Sequence, residues 1–397
     1  MIFTYFQNEL NRLKEKGLYR TLKKVTGPVD TTVTINGREV ILFSSNNYLG
    51  LANHPALKKA AVSALQKYGS GAGASRLISG NLKIHEELEQ RIAAFKKCSA
   101  AIIFSTGYMA NIGAITSLAG KNDLILSDQL NHASIIDACR LSEAETKIYP
   151  HKDLAAFEEI LRHAMHSHSK DGYNNIFFIT DGIFSMDGDI TPLPDLLKLA
   201  EQYNALVVLD DAHATGVIGK NGGGTPEYFD IADNKRLIQI GTFSKAMGSL
   251  GGYLAGDELI VEFLKNKARS FIYSTALPPS VAASSIAAIN ILENNKTLLH
   301  SLQSNIDRFK KGIAEIGYDS VKIETPIIPI IIGDADLTMK FADALFKKGI
   351  YAPGIRPPTV PENQSRIRVS LMSSHTEDQI DKALSVFEEE GKRLGII

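Results

Sequence analysis

Ala205-Leu206-Val207-Val208-Leu209-Asp210-Asp211-Ala212-His213 is the stretch on which the fold turns. The run Ala205 to Leu209 is apolar on both faces, as a strand in the middle of a parallel sheet must be. It stops in two carboxylates and an imidazole, groups that are costly to set at the end of a buried strand without a partner. Open α/β sheets collect their ligands at the carboxyl ends of their strands. The stretch therefore reads as a central strand delivering Asp210 and His213 to a site.

The next apolar run, Leu237 to Ile240, leads into Gly241-Thr242-Phe243-Ser244-Lys245-Ala246-Met247-Gly248-Ser249-Leu250-Gly251-Gly252, a lone lysine among small residues. Burial or neighbouring positive charge lowers a lysine pKa from about 10.4 and makes the amine a nucleophile towards carbonyls. Taken alone, Lys245 reads more simply as a solvated loop lysine. Asp210 changes its weight: a pyridine cofactor needs a carboxylate at its ring nitrogen and an amine at its aldehyde, and the 35 positions between these two residues leave room for both to be carried by strands of one sheet.

Upstream, the strand Ala100 to Phe104 gives way through Ser105-Thr106-Gly107-Tyr108 to a helix opening at about Met109. Such a helix start gathers unpaired N–H groups and the positive dipole end, a site for an anion. Tyr108 is an aromatic able to cover a flat ring, and an ordinary βα turn is the equal alternative for this segment. Leu124 to Leu126 leads to His132 at a strand-to-helix turn. Ile176 to Thr180 leads to a polar loop carrying Ser185, Asp187 and Asp189, in which the calcium-loop pattern is incomplete. Gly69 to Arg76 follows a helix and lacks the third glycine of a dinucleotide fingerprint, so it reads as a loop. His163, His166 and His168 lack the partners of a zinc site.

The chain begins with an amphipathic helix, Met1 to Gly17, without a signal peptide's basic start and apolar core. Arg20 lies in the connection to a hairpin, Thr32 to Ile35 and Glu39 to Phe43, turning at Asn36-Gly37. Ser45 to Leu51, with Asn47, links it to a helix over Pro55 to Tyr68. Tyr273-Ser274-Thr275 precedes a long helix from about Ser280 to Glu293, in or just after which the domain changes. Beyond it helices alternate with the strands Ile327 to Ile332 and Arg366 to Leu371. Between them Tyr351 to Pro361 contains four prolines that hold Arg356 in place. Arg366 and Arg368 alternate with apolar residues and point to one face.

The expected division is 1–50, an N-terminal helix and hairpin; 51–290, a large domain; and 291–397, a small α/β domain. At 397 residues the chain is long enough for more than one core. A net charge of −1 with no basic block argues against nucleic acid or a membrane surface as partner. No apolar run reaches the roughly 20 residues of a membrane span, and Cys98 and Cys139 offer no disulfide framework, so a cytoplasmic protein is expected. A hydrolase lacks its G-x-S-x-G elbow here, and an NTPase its phosphate loop.

Taken together, Ser45 to Leu51, Phe104 to Asn111, Asp128 to Ser134, Thr180 to Asp189, Asp210 to Gly219, Thr242 to Gly248 and Ser365 to His375 resemble the α-oxoamine synthases. These are fold-type I pyridoxal 5′-phosphate (PLP) enzymes that join an amino acid to an acyl-CoA with loss of carbon dioxide. The likeness runs from about Asn8 to the C-terminus. It implies an α/β fold with a mostly parallel central sheet flanked by helices, and a homodimer with shared sites. It also implies that Lys245 carries PLP and moves protons, that His132 stacks on the ring, that Asp210 pairs with the ring nitrogen, and that His213 and Ser185 pair with the ring hydroxyl. The amides of Gly107 and Tyr108, with Thr242 and Thr275 of a neighbouring subunit, would hold phosphate. Arg20, Asn47, His132, Arg356, Thr359 and Arg368 would face substrate. The segment Ile355 to Pro361 points to L-alanine and pimeloyl-CoA, or pimeloyl-carrier protein, with Arg356 reading a carboxylate; the alternative pair is glycine and acetyl-CoA. A PLP-binding protein without turnover is the non-catalytic alternative.

Overall fold

The computed structural model describes residues 2–167, 172–231, 234–318 and 324–397. Its central sheet has seven strands, in the spatial order Ala100–Phe104, Gly252–Gly256, Leu237–Thr242, Leu206–Asp210, Ile176–Asp181, Leu124–Asp128 and Glu145–Tyr149. From Leu237–Thr242 to Glu145–Tyr149 all pairings are parallel, and Gly252–Gly256 runs antiparallel to both its neighbours. The apolar runs are continuous because both faces are covered. Phe177 and Ile179 pack under the helices Gly107–Leu118 and Ala133–Leu141. Their strand neighbours Ile176 and Phe178 point the other way, to Leu154–Ser167 and Leu193–Gln202.

A second body lies beyond the helix Pro279–Asn294, which packs on Pro55–Tyr68 and Lys83–Phe95. There the strands Ile327–Gly333, Ser365–Ser370 and Gly354–Ile355 form an antiparallel sheet. The helix Ala335–Lys347 packs on this sheet, and Thr297–Ile316 packs on Glu377–Arg393. The proline-rich stretch, read as a stiff loop, also contains the short strands Ile350–Tyr351 and Gly354–Ile355.

The hairpin forms at Asn36-Gly37, both at positive φ (49° and 82°) as its tight turn requires. Its strand Arg38–Leu42 also pairs in parallel with Ile350–Tyr351, so the start of the chain is stitched to the second body. The first helix, Ile2–Glu15, buries none of its side chains, and Ile2, Phe3, Tyr5 and Phe6 are exposed. Among the described residues, no helix is long and apolar enough to cross a membrane.

Candidate active site

Asp181 and Asp210 face each other as Cα partners at the ends of adjacent parallel strands, and Asp210 is also registered with Ile240 in the strand that leads to Lys245. The sheet thus brings two carboxylates and one amine to a single edge. Asp210 is buried; its Oδ2 accepts from Asn111 Nδ2 at 2.6 Å and its Oδ1 from the Ala212 amide at 3.0 Å. Asp181, also buried, accepts from the His132 amide at 2.7 Å. Burial, and then the charge of Asp210, push the Asp181 carboxyl well above the usual range.

Lys245 sits in the loop after Leu237–Thr242. Burial lowers its pKa, and the nearby Arg368 charge adds to that, against Asp210 and Asp181, which raise it. The loop can lie here only because of Gly248: it has φ 61°, and a Cβ on it would stand 2.3 Å from the Ala52 amide nitrogen. His213 is buried and held well below its usual pKa, first by burial and then by the charges of Lys245 and Arg368, so it is a neutral imidazole. Its Nδ1 pairs with the Tyr48 hydroxyl at 2.8 Å. His132 caps the helix Ala133–Leu141, with Nδ1 2.8 Å from Ser134 Oγ. Desolvation lowers the pKa of its imidazole first, with Asp210 opposing and Lys245 assisting.

The helix Gly107–Leu118 starts beside the end of the lysine strand. A Cβ on Gly107 would stand 3.3 Å from Thr242 Cβ, so the turn approaches Thr242 closely. Thr106 Oγ1 accepts the Met109 amide at 3.1 Å, leaving Gly107 and Tyr108 among the amides that a helix start does not pair internally.

From the second body, Arg368 is buried and reaches back across the sheet. Its Nε donates to the Ser185 carbonyl at 2.5 Å, Nη1 to Ser370 Oγ at 2.8 Å and Nη2 to Asn46 Oδ1 at 3.3 Å. Arg366 goes to the same loop, onto the Asp187 carboxylate and the Met186 carbonyl. Both arginines face one way, as their alternation predicts. Asn46 also accepts from the Tyr48 hydroxyl at 3.3 Å, so a polar chain joins Arg368 to His213. Asn47 Oδ1 accepts the Ala52 amide at 3.1 Å, and its Nδ2 is buried without a partner among the described residues.

Lys245, Asp210, His213 and His132 therefore converge, with Arg368 at the same edge, Ser185 in the loop that Arg368 grips, and Gly107 against Thr242. Arg20, Arg356 and Thr359 gather elsewhere, around a cavity of about 600 Å³ between the first helix and the proline-rich stretch, with Leu10, Leu13 and Tyr19 in its wall. Thr275 stands apart on an exposed edge beside Ser75, its carbonyl accepting from Ser105 Oγ at 3.3 Å. Asp187 and Asp189 are taken up by Arg366, His151 and Lys152. His166 Nδ1 lies 2.7 Å from the Arg162 carbonyl, and His168 lies outside the described residues. Among the described residues no His, Cys, Asp and Glu cluster is built to hold a metal.

Sequence reasoning passed over Asp181, Asn111 and Tyr48. Asp181 ends an apolar run as Asp210 does, so the signal was present. Asn111 and Tyr48 lie inside quoted motifs, but nothing in their spacing marks their partners.

Such an edge can bind an anion at a helix start, hold a flat cation against a carboxylate, and offer a half-buried amine as nucleophile and base. The model of the aminotransferase class I and II family matches residues 38–387. An 8-amino-7-oxononanoate synthase of Thermoanaerobacter pseudethanolicus is 48% identical over 99% of this chain and 98% of its own. Among solved structures, SPT (serine palmitoyltransferase) with PLP internal aldimine superposes with TM-score 0.91 at 30% identity, covering 100% of this chain and 98% of that one. The 8-amino-7-oxononanoate synthase of Francisella tularensis has TM-score 0.76 at 33% identity, over 89% of this chain and 98% of that one. The fold is that of the fold-type I transferases, and the chain belongs to the aminotransferase class I and II family and, within it, to the α-oxoamine synthases.

Proposed function

We propose that this protein is a PLP-dependent acyltransferase that condenses L-alanine with pimeloyl-CoA, or pimeloyl-carrier protein, releasing CoA and carbon dioxide and giving 8-amino-7-oxononanoate for biotin biosynthesis. The observation that carries this reading over glycine and acetyl-CoA is the gathering of Arg20, Arg356 and Thr359 at one largely apolar cavity. Two guanidiniums lining a largely apolar cavity suit an acyl chain that ends in a carboxylate, and an acetyl group would leave them unused. The names of the relatives point the same way.

The residues present fit PLP. Lys245 would carry it covalently, and Asp210, backed by Asn111, would face the ring nitrogen. His213 and Ser185 would meet the ring hydroxyl, and His132 would lie on the ring face. The Gly107 and Tyr108 amides, Thr242, and Thr275 of a second copy would take the phosphate. Bound there, PLP supplies an electron sink for the charge left on the α-carbon of the amino acid.

The protein's part is then positioning and proton transfer. Arg368, turned into the same edge, pairs with the alanine carboxylate. Lys245, its pKa lowered by burial, takes the α-proton and later returns one to the product. The α-carbon forms its bond to the thioester carbonyl and the CoA thiolate leaves. The carboxylate then departs as carbon dioxide, leaving its electron pair behind. Asn47, with its buried and unpartnered Nδ2, would donate to substrate.

The reading includes a cytoplasmic homodimer, which would cover the exposed apolar side chains of the first helix. The test is CoA release from alanine plus pimeloyl-CoA against glycine plus acetyl-CoA. The first pair should be turned over with the higher kcat/KM. Arg356→Ala should lower kcat/KM for pimeloyl-CoA by roughly 10–100-fold, the loss of a charged hydrogen bond, and leave acetyl-CoA almost unaffected. A preference for glycine and acetyl-CoA in the unmodified protein would refute the reading.

A further inference from the structure

The loop that carries His132 and the loop that carries Ser185 meet at a residue that contributes nothing to the edge itself. His151, just beyond the strand Glu145–Tyr149, lies 2.9 Å from Asp128 Oδ1 through Nδ1 and 2.9 Å from Asp189 Oδ2 through Nε2. Asp128 ends the strand that leads to His132, and its carboxylate also accepts the Leu130 amide at 2.8 Å and the Lys152 amide at 3.0 Å. Asp189 closes the loop that begins at Phe184: its carbonyl accepts the Phe184 amide at 3.1 Å. The imidazole also stands edge-on to the Phe184 ring, with centroids 4.3 Å apart. Two carboxylates can only accept when ionised, so the ring between them must donate from both nitrogens.

We propose that His151 is a positioning residue, an imidazolium bridge that fixes the His132 loop to the Ser185 loop and so sets the group that would lie on the cofactor ring relative to the group that would meet its hydroxyl. The inference rests on the roles proposed above for His132 and Ser185. The Ser185 carbonyl in turn receives Arg368, so the bridge also bears on the group that would hold the amino acid carboxylate. The groups facing His151 are Asp128, Asp189, Lys152, whose Nζ is 2.9 Å from Asp189 Oδ2, and, through Asp128, the buried Tyr149. The two carboxylates outweigh burial and raise the His151 pKa to about 9, so the bridge is intact at neutral pH and loses one of its two donated protons as pH rises through that value.

The test uses PLP-loaded protein, unmodified and as His151→Phe and Asp189→Asn, between pH 6 and 10. The readouts are imidazole proton–nitrogen NMR, circular dichroism of the bound cofactor, and kcat with alanine. In the unmodified protein both His151 ring N–H groups should be visible at pH 8, and the cofactor dichroism and kcat should fall together near pH 9. His151→Phe should keep the cofactor but lose kcat on the order of 10–100-fold at pH 7, the cost of a small misplacement of reacting groups, and should lose the alkaline limb. Asp189→Asn, which leaves one carboxylate on the ring, should move that limb to lower pH. Undiminished dichroism and kcat in His151→Phe, or an alkaline limb unmoved in Asp189→Asn, would overturn the inference. If the unmodified protein bound no PLP at all, the functional reading would fall, and the inference with it.

Discussion

At the residue scale the proposed chemistry turns on a single amine, whose pKa burial lowers. Lys245→Ala should lower kcat by at least the 10²–10⁴-fold typical of a lost proton-transfer group, and borohydride should no longer fix PLP to the chain, as mass spectrometry would record. Asp210→Asn keeps the shape but removes the charge that would face the ring; kcat should fall roughly 10²–10³-fold, as when one preorganised electrostatic partner is removed, with a shift of the visible band. The placement of Asp210 at the sheet edge was legible because it ends an apolar run abruptly in polar residues, a pattern that costs free energy unless a site repays it, whereas Lys245, which alone reads as a solvated loop lysine, gained weight only from Asp210. Asn111 gave no such sign: its bond to Asp210 spans the start of a helix and the end of a distant strand, and no local pattern encodes it.

At the scale of elements, the strand ends are held by ion pairs away from the chemistry. Lys96 and Asp211 are fully buried at 2.7 Å, and the Lys96 amine also donates to Thr215 Oγ1 and the Gly223 carbonyl. Asp211 follows Asp210 directly, so this pair anchors the turn that aims the Asp210 carboxylate. Lys96→Met strands a buried charge and should cost about 3–5 kcal/mol in denaturant unfolding, far more than a surface pair. Periodicity found the strands and helices because burial on both faces, or on one stripe, writes itself into the order of residues. It did not find the docking of the Ser185 loop against Arg366 and Arg368, which joins segments far apart in the chain.

For the whole molecule, one buried and one half-buried histidine set a pH window. His375 is buried, stacked on Phe43 at 4.4 Å, and burial lowers its pKa from 6.5 to about 4. Its folded value lies below its unfolded one, so its contribution is whole above about pH 6.5 and is lost as pH falls towards 4, a change of about 3 kcal/mol. His151 works in the opposite sense: its contribution is whole below about 6.5 and is lost as pH rises through about 9. Unfolding by urea should therefore show greatest stability near neutral pH, with His375→Gln flattening the acid side alone. The α/β class and the sheet edge were legible from the chain, whereas the joining of its two ends was not, because the hairpin and the proline-rich stretch each look complete alone. Ile41 and Leu42 find their partners in Ile350 and Tyr351, about 300 residues later. During synthesis at roughly 5–20 residues per second, that strand must wait tens of seconds with an open edge before its mate leaves the ribosome. The newborn chain is thus most exposed to mispairing at its beginning, and a chaperone that shields this hairpin would raise the yield of native protein more than one acting on the large sheet.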